Sequence, residues 1–142
     1  MTEGVALTDI DTAVGVLERL RKLDVVTALD DFGTGYSSLA YLARLRPDVI
    51  KIDRSFLAAA LNSPFDRRVL ESLVALCHRL DMFVLAEGVE TVEQVALLSE
   101  MGCSLGQGFL FSPAVPSEDV RSVSESMPQR WPLATSRARA AH

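Results

Sequence analysis

The sequence predicts an α/β fold built on parallel strands, and two observations carry that expectation. Short apolar runs rich in Val, Ile and Leu alternate with longer segments of helical period. The apolar runs are also near-continuous instead of alternating with polar residues, the pattern of strands covered on both faces. This alternation leaves two architectures open, a doubly wound sheet or a (β/α) barrel.

The elements follow in order. Asp9 to Lys22 spaces Ile10, Val14, Leu17 and Leu20 as one helical face, with Asp9 or Asp11 able to cap its start. Val25 to Leu29 reads as a strand that ends at Asp30-Asp31. Ser37-Ser38-Leu39 opens a helix with Leu39, Leu42 and Leu45 on one side, and Pro47 stops it. Asp48 to Asp53 is the next strand. Phe65 to Leu80 is a long helix, with Val69, Leu73, Leu76 and Leu80 expected to face inward. Met82 to Ala86 is a strand running into Glu87-Gly88. Thr91 to Met101 is a helix closed by Gly102. Ser104 to Phe111 is the last strand of the series, and a further strand is expected to end at Thr2-Glu3. A short helix is expected after Pro116. Residues 121–142 form a C-terminal tail whose composition turns to Pro, Ser, Ala and Arg beyond about Met127, as in disordered segments.

Composition narrows the function classes. The 142 residues are 49% hydrophobic, enough for one buried core. No apolar run approaches the roughly 20 residues of a spanning helix, and Met1-Thr2-Glu3 does not read as a secretory leader. A net charge of −5 argues against a nucleic-acid polymer as partner. It leaves room for a small anionic ligand, because a metal reverses the charge of a single site. Cys77 and Cys103 sit in apolar periodic segments without zinc or redox spacing, as buried thiols of a reducing cytoplasm do.

Each strand carries a polar group where it should finish: Asp30-Asp31, Lys51, Glu87 and Gln107. A charge in a buried strand costs several kcal/mol unless paired, so four such groups at one βα unit per step point to a shared site. In a (β/α) barrel that site lies at the C-terminal strand ends. Asp30-Asp31 is the sharpest feature. Adjacent carboxylates repel, and burying both calls for cations. Two divalent metals roughly 3.5–4 Å apart supply that charge and activate a water for phosphodiester attack. Oxygen ligands suit magnesium or manganese, and no histidine lies at a strand end. The plainer alternative has Asp31 capping the next segment and Asp30 solvated. Lys51 either orients or helps deprotonate a water, or forms a structural ion pair with Asp53 or Glu87. Gln107 either lines the site or bonds a backbone group. Asp31-Phe32-Gly33 also spells a kinase triplet, but no other kinase element accompanies it.

Four stretches together resemble the EAL-domain family, whose members hydrolyse cyclic di-GMP. They are Leu29-Asp30-Asp31-Phe32-Gly33-Thr34-Gly35-Tyr36-Ser37-Ser38-Leu39, Lys51-Ile52-Asp53-Arg54-Ser55-Phe56, Ala86-Glu87-Gly88-Val89-Glu90-Thr91 and Gln107-Gly108-Phe109-Leu110-Phe111. They occur in the family's order and spacing, and the resemblance covers residues 1–120. Gly4, where Ser or Asn is usual, and Pro113, where Arg is frequent, depart from the family pattern.

The resemblance implies a (β/α)8 TIM barrel, here about its last four to five βα units. It implies a cyclic di-GMP phosphodiesterase that opens its substrate to linear pGpG with two Mg2+ or Mn2+ ions. Carried over, Asp30, Asp31 and Glu87 bind the metals, Lys51 holds the nucleophilic water, Glu90 supports the site and Gln107 lines it. Glu3 matches the second Glu of the family's fourth-strand motif, where it holds the loop after the fifth strand. The first Glu of that motif, the Glu-Ala-Leu strand and the third-strand Asn fall outside the sequence. The 142-residue chain alone, a truncated EAL domain over 1–120, is therefore expected to lack turnover. The alternative is a degenerate remnant acting as a nucleotide-sensing or protein-interaction module. The resemblance also allows an EAL homodimer linked through the Phe32–Ser38 loop, and an upstream sensory or GGDEF domain in an intact parent.

Overall fold

Apolar runs of four or five residues are too short for helices, and here they pair into a sheet. A computed structural model describes residues 10–32 and 39–126. Among them β1 (Ala28–Phe32), β2 (Val49–Ile52), β3 (Phe83–Ala86) and β4 (Leu105–Gly106) form one sheet in the order β1-β2-β3-β4. All three pairings are parallel. Helix α1 (Ile10–Arg21) precedes β1, and α2 (Leu39–Leu45) joins β1 to β2. Helices α3 (Arg54–Asn62) and α4 (Pro64–Arg79) join β2 to β3, α5 (Val92–Glu100) joins β3 to β4, and α6 (Val120–Ser126) follows. A doubly wound sheet reverses its strand order at a switch point. The described strands neighbour one another in chain order with no such reversal, as in an arc of barrel wall.

The core lies between the sheet and its helices. Ile50 and Ile52 of β2 and Val84 and Ala86 of β3 are buried against Leu57, Leu70, Val74, Cys77 and Leu98 of the helices. The opposite side of the same strands, with Val49, Lys51 and Leu85, is only half-buried. Burial on both faces is therefore met on the helix side alone among the described residues. A smaller cluster packs Leu17 of α1 on Leu45 of α2, with Ile10, Val14 and Leu20 around it. The free thiols of Cys77 and Cys103 are both buried.

Four features differ from expectation, each for a physical reason. β1 starts at Ala28, not Val25, and continues through Asp30-Asp31 to Phe32. The Asp48 carboxylate fixes that start by accepting from Thr27 N (2.7 Å) and Thr27 Oγ1 (2.6 Å), which leaves Val25 and Val26 exposed. The inward stripe of α4 is Leu70, Val74 and Cys77, while Val69 and Leu80 are exposed. Helix α3 was not expected. Asp53 caps it by accepting from Ser55 N (2.9 Å), and Leu57 and Ala60 bury its inner face. β4 has two residues instead of eight, because the chain after Gly106 turns back onto the β3–α5 loop. Val89 N donates to Gln107 O and Leu110 N to Val89 O, both at 3.0 Å.

Helix α6 matches the helix expected after Pro116 and crosses the boundary drawn at residue 120, so the segment 121–142 begins helical. The strand expected to end at Thr2-Glu3, the loop Gly33 to Ser38 and the tail beyond Met127 lie outside the described residues.

Candidate metal-binding site

Successive side chains of a regular strand point to opposite faces. Adjacent aspartates would then be split between the core and the barrel interior. β1 avoids this with a bulge. Leu29 pairs with Ile50 and Phe32 with Ile52, so β1 spends one residue more than β2 over the same stretch. Asp31 takes the irregularity in a left-handed conformation, φ 55°, which Asp tolerates better than most residues. Leu29 and Phe32 thus both reach the core, and the two carboxylates between them are free to gather on one side.

Glu87 completes the group from the end of β3. Its N–H donates to Ile52 O at 2.9 Å, extending the ladder one residue beyond the strand. Gly88 follows at φ 62°, where a Cβ would lie 2.6 Å from Arg54 Cβ, so this turn packs directly on the first residue of α3. One carboxylate oxygen each from Asp30, Asp31 and Glu87 lies within 4.8 Å of the others. Three carboxylates so close repel one another by a few kcal/mol per pair at an effective dielectric of about 20.

Lys51 answers part of that charge. Its Nζ stands 2.7 Å from Asp30 Oδ1 and 2.6 Å from Glu87 Oε1, a double ion pair across β1, β2 and β3. Asp53, the other partner considered from the sequence, is engaged in capping α3. The Lys51 hydrogen bond, aided by its charge, holds the Asp30 carboxyl below the usual range against the opposing effect of burial. Burial by itself would lower the Lys51 pKa. The hydrogen bonds and charges of Asp30 and Glu87 outweigh it, and the ammonium is held above its ordinary value. Lys51 thus bridges the two carboxylates across the sheet edge.

The remaining predicted residues sit differently. Glu90 is exposed, and its backbone N–H donates to Gln94 Oε1 at 2.7 Å. Gln107 is also exposed. Its backbone N–H donates to Ala86 O (2.9 Å) and its carbonyl accepts from Val89 N, while its side chain makes no hydrogen bond among the described residues. Glu3 lies outside the described residues. The sequence reading missed Gln94, which is buried and accepts from both Glu90 N and Thr91 N (3.1 Å). It forms a capping box with Thr91 at the start of α5, and the Thr91-x-x-Gln94 spacing was the available signal. Gly108 was also passed over. A Cβ there would lie 2.2 Å from Val89 O, so only glycine lets the segment after β4 close on the loop that follows Glu87.

The donor set is three hard carboxylate oxygens, with no imidazole or thiolate among them. With Lys51 included, the charge is −3 + 1 = −2. Such a set fits Mg2+, Mn2+ or Ca2+ and not a structural zinc.

A family model for the EAL domain matches residues 1–114. The cyclic di-GMP phosphodiesterase NbdA of Pseudomonas aeruginosa is 47% identical over 116 residues, which cover 82% of this chain and 15% of NbdA. The EAL domain of Mycobacterium smegmatis DcpA superposes with a TM-score of 0.81 at 37% identity, covering 89% of this chain and 57% of that one. A manganese and cyclic di-GMP complex of Klebsiella pneumoniae BlrP1 superposes with a TM-score of 0.73 at 41% identity, covering 79% and 29%. The chain spans about a sixth of the length of the curated relatives it matches, 17% and 15% for two of them.

Proposed function

The chain belongs to the EAL domain family, and on that premise we propose that it is the C-terminal part of a domain that hydrolyses cyclic di-GMP to linear pGpG by two-metal catalysis. One observation carries the reading: Asp30 and Asp31 of β1 and Glu87 at the end of β3 converge at the C-terminal edge of a parallel sheet, with Lys51 of β2 between them. That edge is where barrel enzymes do their chemistry.

Asp30, Asp31 and Glu87 would hold the ions, Mg2+ or Mn2+ for turnover. BlrP1 has been solved with manganese and with calcium beside cyclic di-GMP. Bound divalent ions supply Lewis-acid activation of water and neutralise the phosphodiester charge. The chain's own residues orient the reactants. Lys51 would hold and orient the attacking water beside Asp30 and Glu87. The turn at Gly88, seated on α3, fixes the approach of Glu87. Gln94 holds the loop carrying Glu90, and Glu90 and Gln107 would support the site, while the family likeness gives Glu3 the role of holding the loop after the fifth strand. Water adds across one P–O bond of the ring, leaving a phosphate on one guanosine and a hydroxyl on the other.

MucR of P. aeruginosa, 41% identical over 120 residues, is described as a bifunctional diguanylate cyclase and cyclic di-GMP phosphodiesterase. That pairing of activities supports an upstream GGDEF domain in the intact protein; an upstream sensory domain and an EAL homodimer are proposed on the family likeness alone. No helix among the described residues is long and apolar enough to cross a membrane, and two free buried cysteines fit a reaction in the cytoplasm.

The test is conversion of cyclic di-GMP to pGpG by the protein with its complete domain, in Mg2+ or Mn2+, followed by chromatography. Wild type is expected to make pGpG, and Asp30→Ala to fall to background. Retained turnover in Asp30→Ala would remove the carboxylate pair from the mechanism. The 142-residue chain alone is expected to give no turnover, since the family likeness puts three further ligands on strands outside it. The second reading is a nucleotide-sensing or interaction module. Binding of cyclic di-GMP without pGpG from the complete domain would establish it.

A further inference from the structure

The double ion pair of Lys51 bears on how the carboxylate group would take up a metal. Nζ stands 2.7 Å from Asp30 Oδ1 and 2.6 Å from Glu87 Oε1, and both carboxylates belong to the group that converges within 4.8 Å. A divalent ion held by these oxygens would sit roughly 2.0–2.6 Å from them. It would draw on two of the carboxylates that the ammonium now engages. Two cations at one carboxylate group repel and compete for its charge.

The geometry points to Lys51 as an internal place-holder: its ammonium neutralises the carboxylate group before metal arrives, and divalent ions bind by displacing it. Three features support the exchange. The contacts are short and charge-assisted, so the ammonium is a real competitor. It is a single charge against a group of three, so it never saturates the site and a doubly charged ion wins. Lys51 is only half-buried, on a flexible four-carbon stem, so it can swing aside without disturbing β2, whose Ile50 and Ile52 anchor the strand in the core. Exchange then couples two events. With the carboxylates holding a metal, the ammonium would be free to face the attacking water. Holding the site together without metal and orienting water with metal become successive tasks of one side chain.

This inference rests on the proposed metal site, and the experiment separates the two. Calorimetric titration of Mn2+ into the protein with its complete domain is compared for wild type, Lys51→Met and Lys51→Arg. Lys51→Met is expected to bind Mn2+ on the order of 10-fold more tightly than wild type, because the competing charge is gone. Its melting temperature in EDTA is expected to fall below wild type, and Mn2+ is expected to raise it by more. Lys51→Arg keeps the charge and is expected to stay near wild-type affinity. In wild type, the Lys51 15Nζ ammonium signal is expected to shift on Mg2+ addition, a readout that needs no variant. Equal or weaker Mn2+ binding by Lys51→Met, or an ammonium signal unmoved at saturating Mg2+, overturns the place-holder role and leaves the metal site standing. Absence of Mn2+ binding in every form overturns both.

Discussion

A charged side chain in an apolar strand needs a reason within a few ångströms, and at Asp30, Lys51 and Glu87 the reason is each other. These positions were legible because each interrupts an otherwise aliphatic run. The partners that hold them were less so. Gly108 looks like an ordinary loop glycine until the chain after β4 is seen against Val89. Gly108→Ala is expected to destabilise the protein by about 1–3 kcal/mol through overpacking against rigid backbone, read as a shift of the urea midpoint. A loss below 0.5 kcal/mol would mean that the loop gives way. The two thiols carry a pH dependence. Burial pushes Cys77 and Cys103 each up to about 11, whereas an unfolded thiol titrates near ~8.5. The folded state keeps protons that the unfolded state loses. Their contribution is therefore complete below about pH 8.5 and is lost as pH rises from there to about 11. Replacing both with Ala or Ser should flatten that alkaline decline in a melting-temperature profile. An unchanged slope would assign the decline to other groups.

Secondary elements were easier to find than to phase. Two apolar stripes run along α4 at helical spacing, and periodicity alone does not choose between them. Packing on α3 and the sheet selects Leu70, Val74 and Cys77. Leu70→Ala is accordingly expected to cost roughly 2–5 kcal/mol and Val69→Ala under about 0.5 kcal/mol. Similar losses at both positions would contradict this phase. Helix α3 escaped notice because its Ala58-Ala59-Ala60 centre shows no apolar period, although Asp53-x-Ser55 marks its cap. The bulge in β1 has no sequence signature beyond the aspartates themselves, yet it sets their geometry. At α5 the capping box joins stability to the site. Thr91→Ala is expected to cost about 1 kcal/mol and to loosen the loop that carries Glu90. Amide exchange at Glu90 and Thr91 reports that loosening directly.

For the whole molecule, chain-order pairing of four parallel strands is what the alternating sequence could suggest and only three dimensions could settle. The arc brings residues from β1, β2 and the end of β3 to one edge although they are far apart in the chain. The segment after β4 seals that edge from the far side through Gln107 and Gly108. Family membership follows from the match over residues 1–114. Activity depends on whether the edge binds divalent ions in the complete domain. The most direct measurement is anomalous diffraction at the manganese edge from crystals of that domain grown with Mn2+. The expected result is a manganese peak roughly 2.0–2.6 Å from carboxylate oxygens of Asp30, Asp31 and Glu87, with Lys51 moved off Asp30 and Glu87. Manganese bound elsewhere, or no manganese at these three carboxylates at saturating Mn2+, would contradict it.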